Sequence, residues 1–296
     1  MENCLPRRSV LYVPGVNTRA IEKARAIACD VIIFDWEDAV APSMKSAARK
    51  TVADAFGTGT FLAREKIIRI NSLGTREFEA DLQAAVACGP DAILLPKVNS
   101  AHDIQRYAYA RRQLKREDNT ALWIMVETAA AISNLNSIIE VAPGAGIKLG
   151  CLVLGTNDLA KETGVSTANG RQYFIPWLMS IVLTARMNNV TVVDGVWNDF
   201  RNTEGFDTEA RQSLEMGFDG KTLIHPLQVA PANAVFTPSD EAVADAKKII
   251  AAFDRPEYAT AGVIDLDGRM VERLHLEQAQ RLIARMEAIT TQPQTA

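Results

Sequence analysis

Cysteine and histidine are scarce in this sequence. Four cysteines and three histidines are spread over 296 residues. Cys4, Cys29, Cys88 and Cys151 form no CxxC pair, and none has a histidine at ligand spacing, so a zinc module is excluded and reduced thiols are expected. His102, His225 and His275 are too scattered for a hydrolase triad built from local motifs. Long apolar runs are also missing. Val31–Phe34 and Ala92–Pro96 fall far short of the ~20 residues that span a bilayer, and Met1–Arg8 leads into a strand-like segment without a signal-peptide core. Charge of one sign is not concentrated anywhere: 32 Lys and Arg oppose 36 Asp and Glu, for a net charge of −4, with no block of five or more. A soluble cytoplasmic protein is expected, with no nucleic-acid or membrane partner.

What the chain does have is length and apolar content. With 48% hydrophobic and 23% charged residues, it can bury roughly three quarters of its unfolded surface in one large domain or two small ones without a metal or disulfide staple. Short β-branched runs recur at a spacing that leaves room for one helix between each pair. They are Ser9–Gly15, Asp30–Asp38, Glu65–Asn71, Asp91–Val98, Ala121–Thr128, Cys151–Asp158, Thr191–Trp197 and Gly220–Pro226. Between them, Arg76–Cys88 and Ala101–Arg116 carry helical periodicity, and Asn17, Ser43 and Ser100 are good N-cap residues. Eight strand–helix alternations predict an α/β fold, a (β/α)8 TIM barrel rather than an open doubly wound sheet. The barrel is expected over 1–236, with a C-terminal helical extension over 237–296. That extension should hold helices at Ser239–Asp254 and Arg269–Ile289, a loop or short extended arm at Arg255–Gly268, and a polar, frayed tail from Thr290 to Ala296.

In such a barrel, chemistry sits where the strands end, and here those ends are polar. The runs close with Asp35, Glu37 and Asp38; with Arg69 and Asn71; with Lys97; with Glu127 and Thr128; with Thr156, Asn157 and Asp158; with Asp194; and with His225. Glu127 and Asp158, on adjacent strands, would face each other across a few ångströms. Two like charges need a cation or a shared proton. Two carboxylates, with the remaining positions left to water and substrate, is how Mg²⁺ is usually held. The alternative is that both acids cap helices or pair with Lys97 and Arg69. Arg69 lies within an apolar strand, so its guanidinium needs an anion: Glu37 or Asp38 beside it, or a substrate carboxylate read bidentately.

Two glycine motifs are set aside. Gly144, Gly146 and Gly150 are one residue too widely spaced for a dinucleotide fingerprint and precede a strand rather than follow one. Gly220-Lys221-Thr222 opens a strand and lacks the first P-loop glycine. The basic residues Arg19, Lys23 and Arg25 after Pro14-Gly15 suit either a solvated helix face or a phosphate site.

The motifs Arg8-Ser9-Val10-Leu11-Tyr12-Val13-Pro14-Gly15, Phe34-Asp35-Trp36-Glu37-Asp38-Ala39-Val40, Arg69-Ile70-Asn71, Leu95-Pro96-Lys97-Val98, Val126-Glu127-Thr128, Leu154-Gly155-Thr156-Asn157-Asp158-Leu159, Gly220-Lys221-Thr222-Leu223-Ile224-His225-Pro226 and Gly268-Arg269-Met270-Val271 follow one another in order. With them the chain resembles the citrate lyase beta-subunit-like family of the HpcH/HpaI aldolase superfamily, which includes malyl-CoA and citramalyl-CoA lyases. The resemblance implies Mg²⁺, or Mn²⁺ in its place, on Glu127 and Asp158. It implies an α-keto acid carboxylate on Arg69 beside Asp38, with Gly155, Thr156 and Asn157 against the substrate, and a CoA thioester with its phosphates near Pro14, Arg19 and Lys23.

The implied reaction is cleavage of a 3-hydroxy-dicarboxylyl-CoA to acetyl-CoA or propionyl-CoA plus an α-keto acid. Thioester hydrolysis is the second reading, and a citrate lyase subunit acting on an acyl-carrier partner the third. The resemblance also implies a homotrimer or higher homo-oligomer in which each site takes an acid–base residue from a neighbour. That residue is Asp in the lyases and Glu272 here, with Asp267 the next candidate. Trp36 stands where the family usually has Leu, either narrowing the pocket or filling core.

Overall fold

Parallel pairing carries each strand to the next, and the pairing of Ser9–Leu11 with Lys221–Leu223 closes the sheet into an eight-stranded barrel. The strands are β1 (Ser9–Pro14), β2 (Val31–Asp35), β3 (Glu65–Arg69), β4 (Ala92–Leu95), β5 (Ala121–Val126), β6 (Leu149–Leu154), β7 (Thr191–Asp194) and β8 (Gly220–Leu223). Each is shorter than its apolar run: Asp35, Arg69 and Asp194 are the last residues of their strands, and Glu37, Asn71, Lys97, Glu127 and Asp158 lie beyond the sheet. The computed structural model describes residues 5–116, 119–167, 170–258 and 260–291. Cys4 and the tail beyond residue 291 lie outside them. The cysteines within them, Cys29, Cys88 and Cys151, are free thiols.

Alternation along each strand sorts the side chains into two layers. Inside the barrel, Val10, Val31, Ile33, Ile67, Leu94, Trp123, Met125, Cys151, Val153 and Val193 form one packed cluster, with Tyr12 against it. Arg7 is stacked over Trp123 with its guanidinium carbon 4.7 Å from the ring centroid, and its Nε donates to Glu65 at 2.7 Å. The helices that connect the strands are α1 (Thr18–Ala24), α2 (Lys45–Gly57), α3 (Phe78–Cys88), α4 (Ala101–Gln113), α5 (Ala129–Gly144), α6 (Thr156–Thr163), α7 (Ile175–Met187) and α8 (Thr203–Met216). Asn17, Thr128 and Asn202 each accept a backbone N–H in the first turn that follows them, and Ser100 and Asp103 form a capping box. Ser43 does not cap a helix as expected. It sits inside a 3₁₀ turn, Pro42–Met44, started by the proline, and α2 begins after it.

The described residues divide into two compact units, one over residues 7–233 and one over residues 234–291 together with Leu5 and Pro6. The division falls within α9 (Val229–Phe236). In the second unit, α10 (Asp240–Phe253) and α11 (Arg273–Thr290) enclose a hairpin of β9 (Val263–Leu266) and β10 (Arg269–Glu272). The extended arm expected within 255–268 is β9, and one expectation is corrected: 269–272 is strand rather than the start of the last helix. The Asp267-Gly268 pair turns the hairpin with φ of +56° and +76°, a two-residue turn whose twist suits antiparallel strands. One face of the hairpin is buried through Ile264 and Val271 against Ala252 and Phe253. No helix among the described residues is long and apolar enough to cross a membrane.

Candidate active site

The same alternation that builds the barrel interior sets which polar residues enter its mouth. Asp35 shares a face with Val31 and Ile33, Arg69 with Ile67, and the two are paired in register across β2 and β3. Arg69 donates Nε and Nη2 to the two carboxylate oxygens of Asp35 at 2.8 and 2.6 Å. Its Nη1 lies 3.0 Å from Glu37, 3.7 Å from Asp38 and 3.5 Å from the Met125 sulfur, and the guanidinium carbon sits 5.0 Å from the Tyr12 ring centroid. The main partner is therefore Asp35, not Glu37 or Asp38 as the sequence suggests, and Asp38 is exposed. Burial alone would raise the Asp35 pKa, but Arg69 outweighs it and holds the carboxyl below the usual range.

Glu37 is anchored from two sides. Lys45 donates to the Trp36 and Glu37 carbonyls at 2.8 and 2.7 Å, and Lys97 Nζ donates to the Glu37 carboxylate at 2.7 Å. Burial nevertheless pushes the Glu37 carboxyl upward. Trp36 is fully buried, and a Cβ added at Gly15 would lie 2.7 Å from its ring. It fills core rather than narrowing a pocket.

Glu127 is the centre of the arrangement. Its side chain is fully buried, Oε1 accepts the Lys97 backbone N–H at 2.7 Å, and Oε2 has no hydrogen-bond partner. Burial first, then the negative charge of Glu37 and more weakly that of Asp158, raise its carboxyl to about 8 against the opposing pull of Lys97. Capping does not explain it, because Thr128 caps α5. Pairing with Lys97 does not either, since that ammonium is 4.0 Å away and bonded to Glu37.

Asp158 lies in the first turn of α6, with Gly155 as N-cap, so Thr156, Asn157 and Asp158 belong to a helix start rather than a strand end. A buried carboxylate oxygen without a partner, with a second acid acting on it, fits a cation better than any group this chain supplies. Among the described residues no set of three or more His, Cys, Asp or Glu converges to hold an ion. Two carboxylates suit Mg²⁺, which keeps its other positions for water and substrate.

Around this centre, Asn157 and Asn198 exchange side-chain amide hydrogen bonds at 3.2 and 2.8 Å, tying the first turn of α6 to the loop after β7. His225 stacks on Phe200 with ring centroids 4.3 Å apart, and its Nδ1 accepts from the Leu227 N–H, which leaves the proton on Nε2. Pro14 is half-buried at the end of β1, and Arg19 and Lys23 are exposed one turn apart on α1. Arg25 is instead consumed by Glu22, the Ala55 carbonyl and the Phe61 ring.

Asp194 does not enter the mouth. Its neighbour Val193 faces the barrel interior, and Asp194 itself meets Lys221 at 2.8 Å, Arg171 at 2.6 Å and Ser213 at 2.6 Å. Glu272 belongs to the second unit, where it ends β10 and its backbone N–H donates to His275 Nδ1 at 2.9 Å. The pairing of Asp35 with Arg69 and the backbone role of Lys97 were the residues missed. Counting in twos from Ile33 and Ile67 would have revealed the first; nothing in the sequence marks the second.

A closed (β/α)8 barrel with polar side chains gathered at the ends of its strands defines the class of barrel proteins whose sites lie at that mouth. The HpcH/HpaI aldolase/citrate lyase family pattern matches residues 8–226, and the chain belongs to that family. It is 44% identical over 284 residues to a (3S)-malyl-CoA thioesterase of Cereibacter sphaeroides, covering 96% of each chain. It is 33% identical to an L-malyl-CoA/beta-methylmalyl-CoA lyase of the same species, again over 96% of each. Its structure resembles that of CitE from Mycobacterium tuberculosis in complex with magnesium, acetoacetate and coenzyme A, with a TM-score of 0.75, 28% identity, and coverage of 96% of this chain and 99% of that one.

Proposed function

We propose that this protein is a Mg²⁺-dependent hydrolase of a malyl-CoA-type thioester. The observation that carries the metal dependence is the unpartnered Oε2 of buried Glu127, on which the charge of Asp158 also acts. The thioester and the acyl class are supported by the 44% identity to a (3S)-malyl-CoA thioesterase along nearly the whole chain. In this reading Glu127 and Asp158 hold the ion, which supplies Lewis-acid charge at the mouth when bound.

The chain's own residues do the rest. Arg69, locked by Asp35 on its Nε edge, presents Nη1 and the remaining Nη2 hydrogen to the free carboxylate of the acyl group. The backbone around Gly155, Thr156 and Asn157 orients that group, and Arg19 and Lys23 draw the CoA phosphates toward Pro14. Glu272, brought by a neighbouring subunit of a homo-oligomer, takes a proton from water as its oxygen attacks the thioester carbon. The C–S bond breaks, and the CoA thiolate recovers the proton.

A second reading, carbon–carbon cleavage to acetyl-CoA and an α-keto acid, is supported by the lyase relative and by the family. There the same Glu272 would protonate the carbon left by the broken bond. The products decide. Purified protein with Mg²⁺ and malyl-CoA should release free CoA and malate. Acetyl-CoA and glyoxylate in equal amounts would establish the lyase instead, and neither set of products with malyl-CoA or citramalyl-CoA would overturn both.

A further inference from the structure

Lys97 has a backbone that most side chains avoid, with φ at +53°. The other residues with a side chain and positive φ among those described are Lys115, Asn189 and Asp267. Lys115 and Asn189 follow the ends of α4 and α7, and Asp267 turns the hairpin, all places where a left-handed residue is routine. Lys97 alone follows a barrel strand, and it does so at the mouth. Strain of this kind persists only where surrounding contacts over-determine it.

Those contacts are visible on three sides. The Lys97 N–H is pinned to Glu127 Oε1 at 2.7 Å, its Nζ reaches Glu37 at 2.7 Å, and the next residue, Val98, is buried. With the peptide plane fixed by Glu127 and Val98 returned to the core, the chain has to turn through the left-handed region at Lys97. A residue that resists that region would rotate the peptide and release the Glu127 oxygen. Gly155 closes the other side of the same carboxylate, so a Glu127 freed from Lys97 has no second donor to hold it.

We infer that Lys97 is a positioning residue whose left-handed backbone, rather than its charge, holds one oxygen of Glu127 so that the other stays free for the cation. The inference rests on the reading of Glu127 as a metal ligand and goes beyond it by assigning what sets the ligand's orientation.

The test is a graded series: Lys97→Gly, Lys97→Ala and Lys97→Val. All three lose the ammonium alike, so differences among them isolate the backbone, and tolerance of positive φ falls from Gly through Ala to the β-branched Val. Mg²⁺ alone is titrated calorimetrically into each folded variant, into the wild-type protein and into Glu127→Gln, with kcat and KM measured alongside. Orienting groups behind a metal ligand are worth about 10–100-fold in affinity, so Lys97→Val should bind Mg²⁺ at least about tenfold more weakly than Lys97→Gly, with Lys97→Ala between. The loss should fall on kcat at saturating substrate and low Mg²⁺ and be relieved by added Mg²⁺. If Lys97→Val does not fold, weaker binding by Ala than by Gly carries the result. Equal Mg²⁺ affinity across the variants, with wild-type binding that Glu127→Gln abolishes, overturns the inference and leaves the cation reading standing. Absence of Mg²⁺ binding by the wild-type protein overturns both.

Discussion

Gly155 and Glu127 are in contact so close that a Cβ at position 155 would lie 2.5 Å from the Glu127 Cβ and 2.7 Å from its free Oε2. The residue after β6 therefore leaves no room for a side chain of its own beside the carboxylate. Gly155→Ala should push Glu127 off its position and weaken Mg²⁺ binding, while overpacking costs the fold about 1–3 kcal/mol. Calorimetric Mg²⁺ titration beside urea denaturation checks this; unchanged metal affinity would mean that the carboxylate has slack not visible in its packing.

Glu127→Gln or Asp158→Asn should abolish metal-dependent turnover and leave the circular dichroism spectrum unchanged, since neither removes a core apolar contact. Activity that survives chelation in the wild-type protein would remove the metal from the mechanism.

Arg69→Lys keeps the charge but not the two-point grip on Asp35. The loss should be about 1.5–3 kcal/mol of stability, the range for a charge-assisted hydrogen bond, together with weaker binding of pyruvate or glyoxylate. Reduced stability with unchanged keto-acid affinity would assign the guanidinium to the fold alone.

Asp194 gives a pH prediction away from the mouth. Burial opposes its ionisation, but Lys221 and Arg171 more than compensate and hold its carboxyl well below the usual range. A depressed folded-state pKa contributes stability that is fully present above the unfolded value near ~4 and is lost as pH falls toward the folded value. Asp194→Asn should flatten the acid limb of a stability–pH curve below about pH 4, and at neutral pH should destabilise the fold by less than the about 3–5 kcal/mol of a wholly unpaired buried charge, because Glu209 still faces Lys221 at 2.7 Å. Thermal melts between pH 2 and 7, set by ~buffer steps of one unit, test both parts.

If each site takes Glu272 from a neighbour, mixing inactive Glu127→Gln protein with inactive Glu272→Ala protein under conditions of subunit exchange should restore part of the activity. Some exchanged sites would then hold both intact groups. No recovery in exchanged oligomers, or full activity of Glu272→Ala alone, would refute the shared site.

The eight barrel strands were legible because each is an apolar run bounded by turn residues, and burial on both faces of a parallel sheet requires such runs. The hairpin at 263–272 was not read, although Asp267-Gly268 between two short apolar stretches is a turn signal, because each stretch is only four residues long and buries one side chain, Ile264 or Val271. Asp194 was misplaced for a related reason: a polar residue closing a strand can enter the mouth or point away from it, and its parity with Val193 decides which.

The sequence by itself determined the alternation of strands and helices, the polar strand ends and the pair of acids, because these follow from residue type and local period. Only the tertiary structure decided which acid meets which base. Asp35 rather than Asp38 holds Arg69 because strand register pairs positions 35 and 69 across the sheet. Glu127 has one oxygen held and one without a hydrogen-bond partner because a left-handed Lys97 after β4 and a close-packed Gly155 after β6 flank it. Register and closure depend on contacts between strands distant in the chain, and no local pattern of residues encodes where those contacts fall.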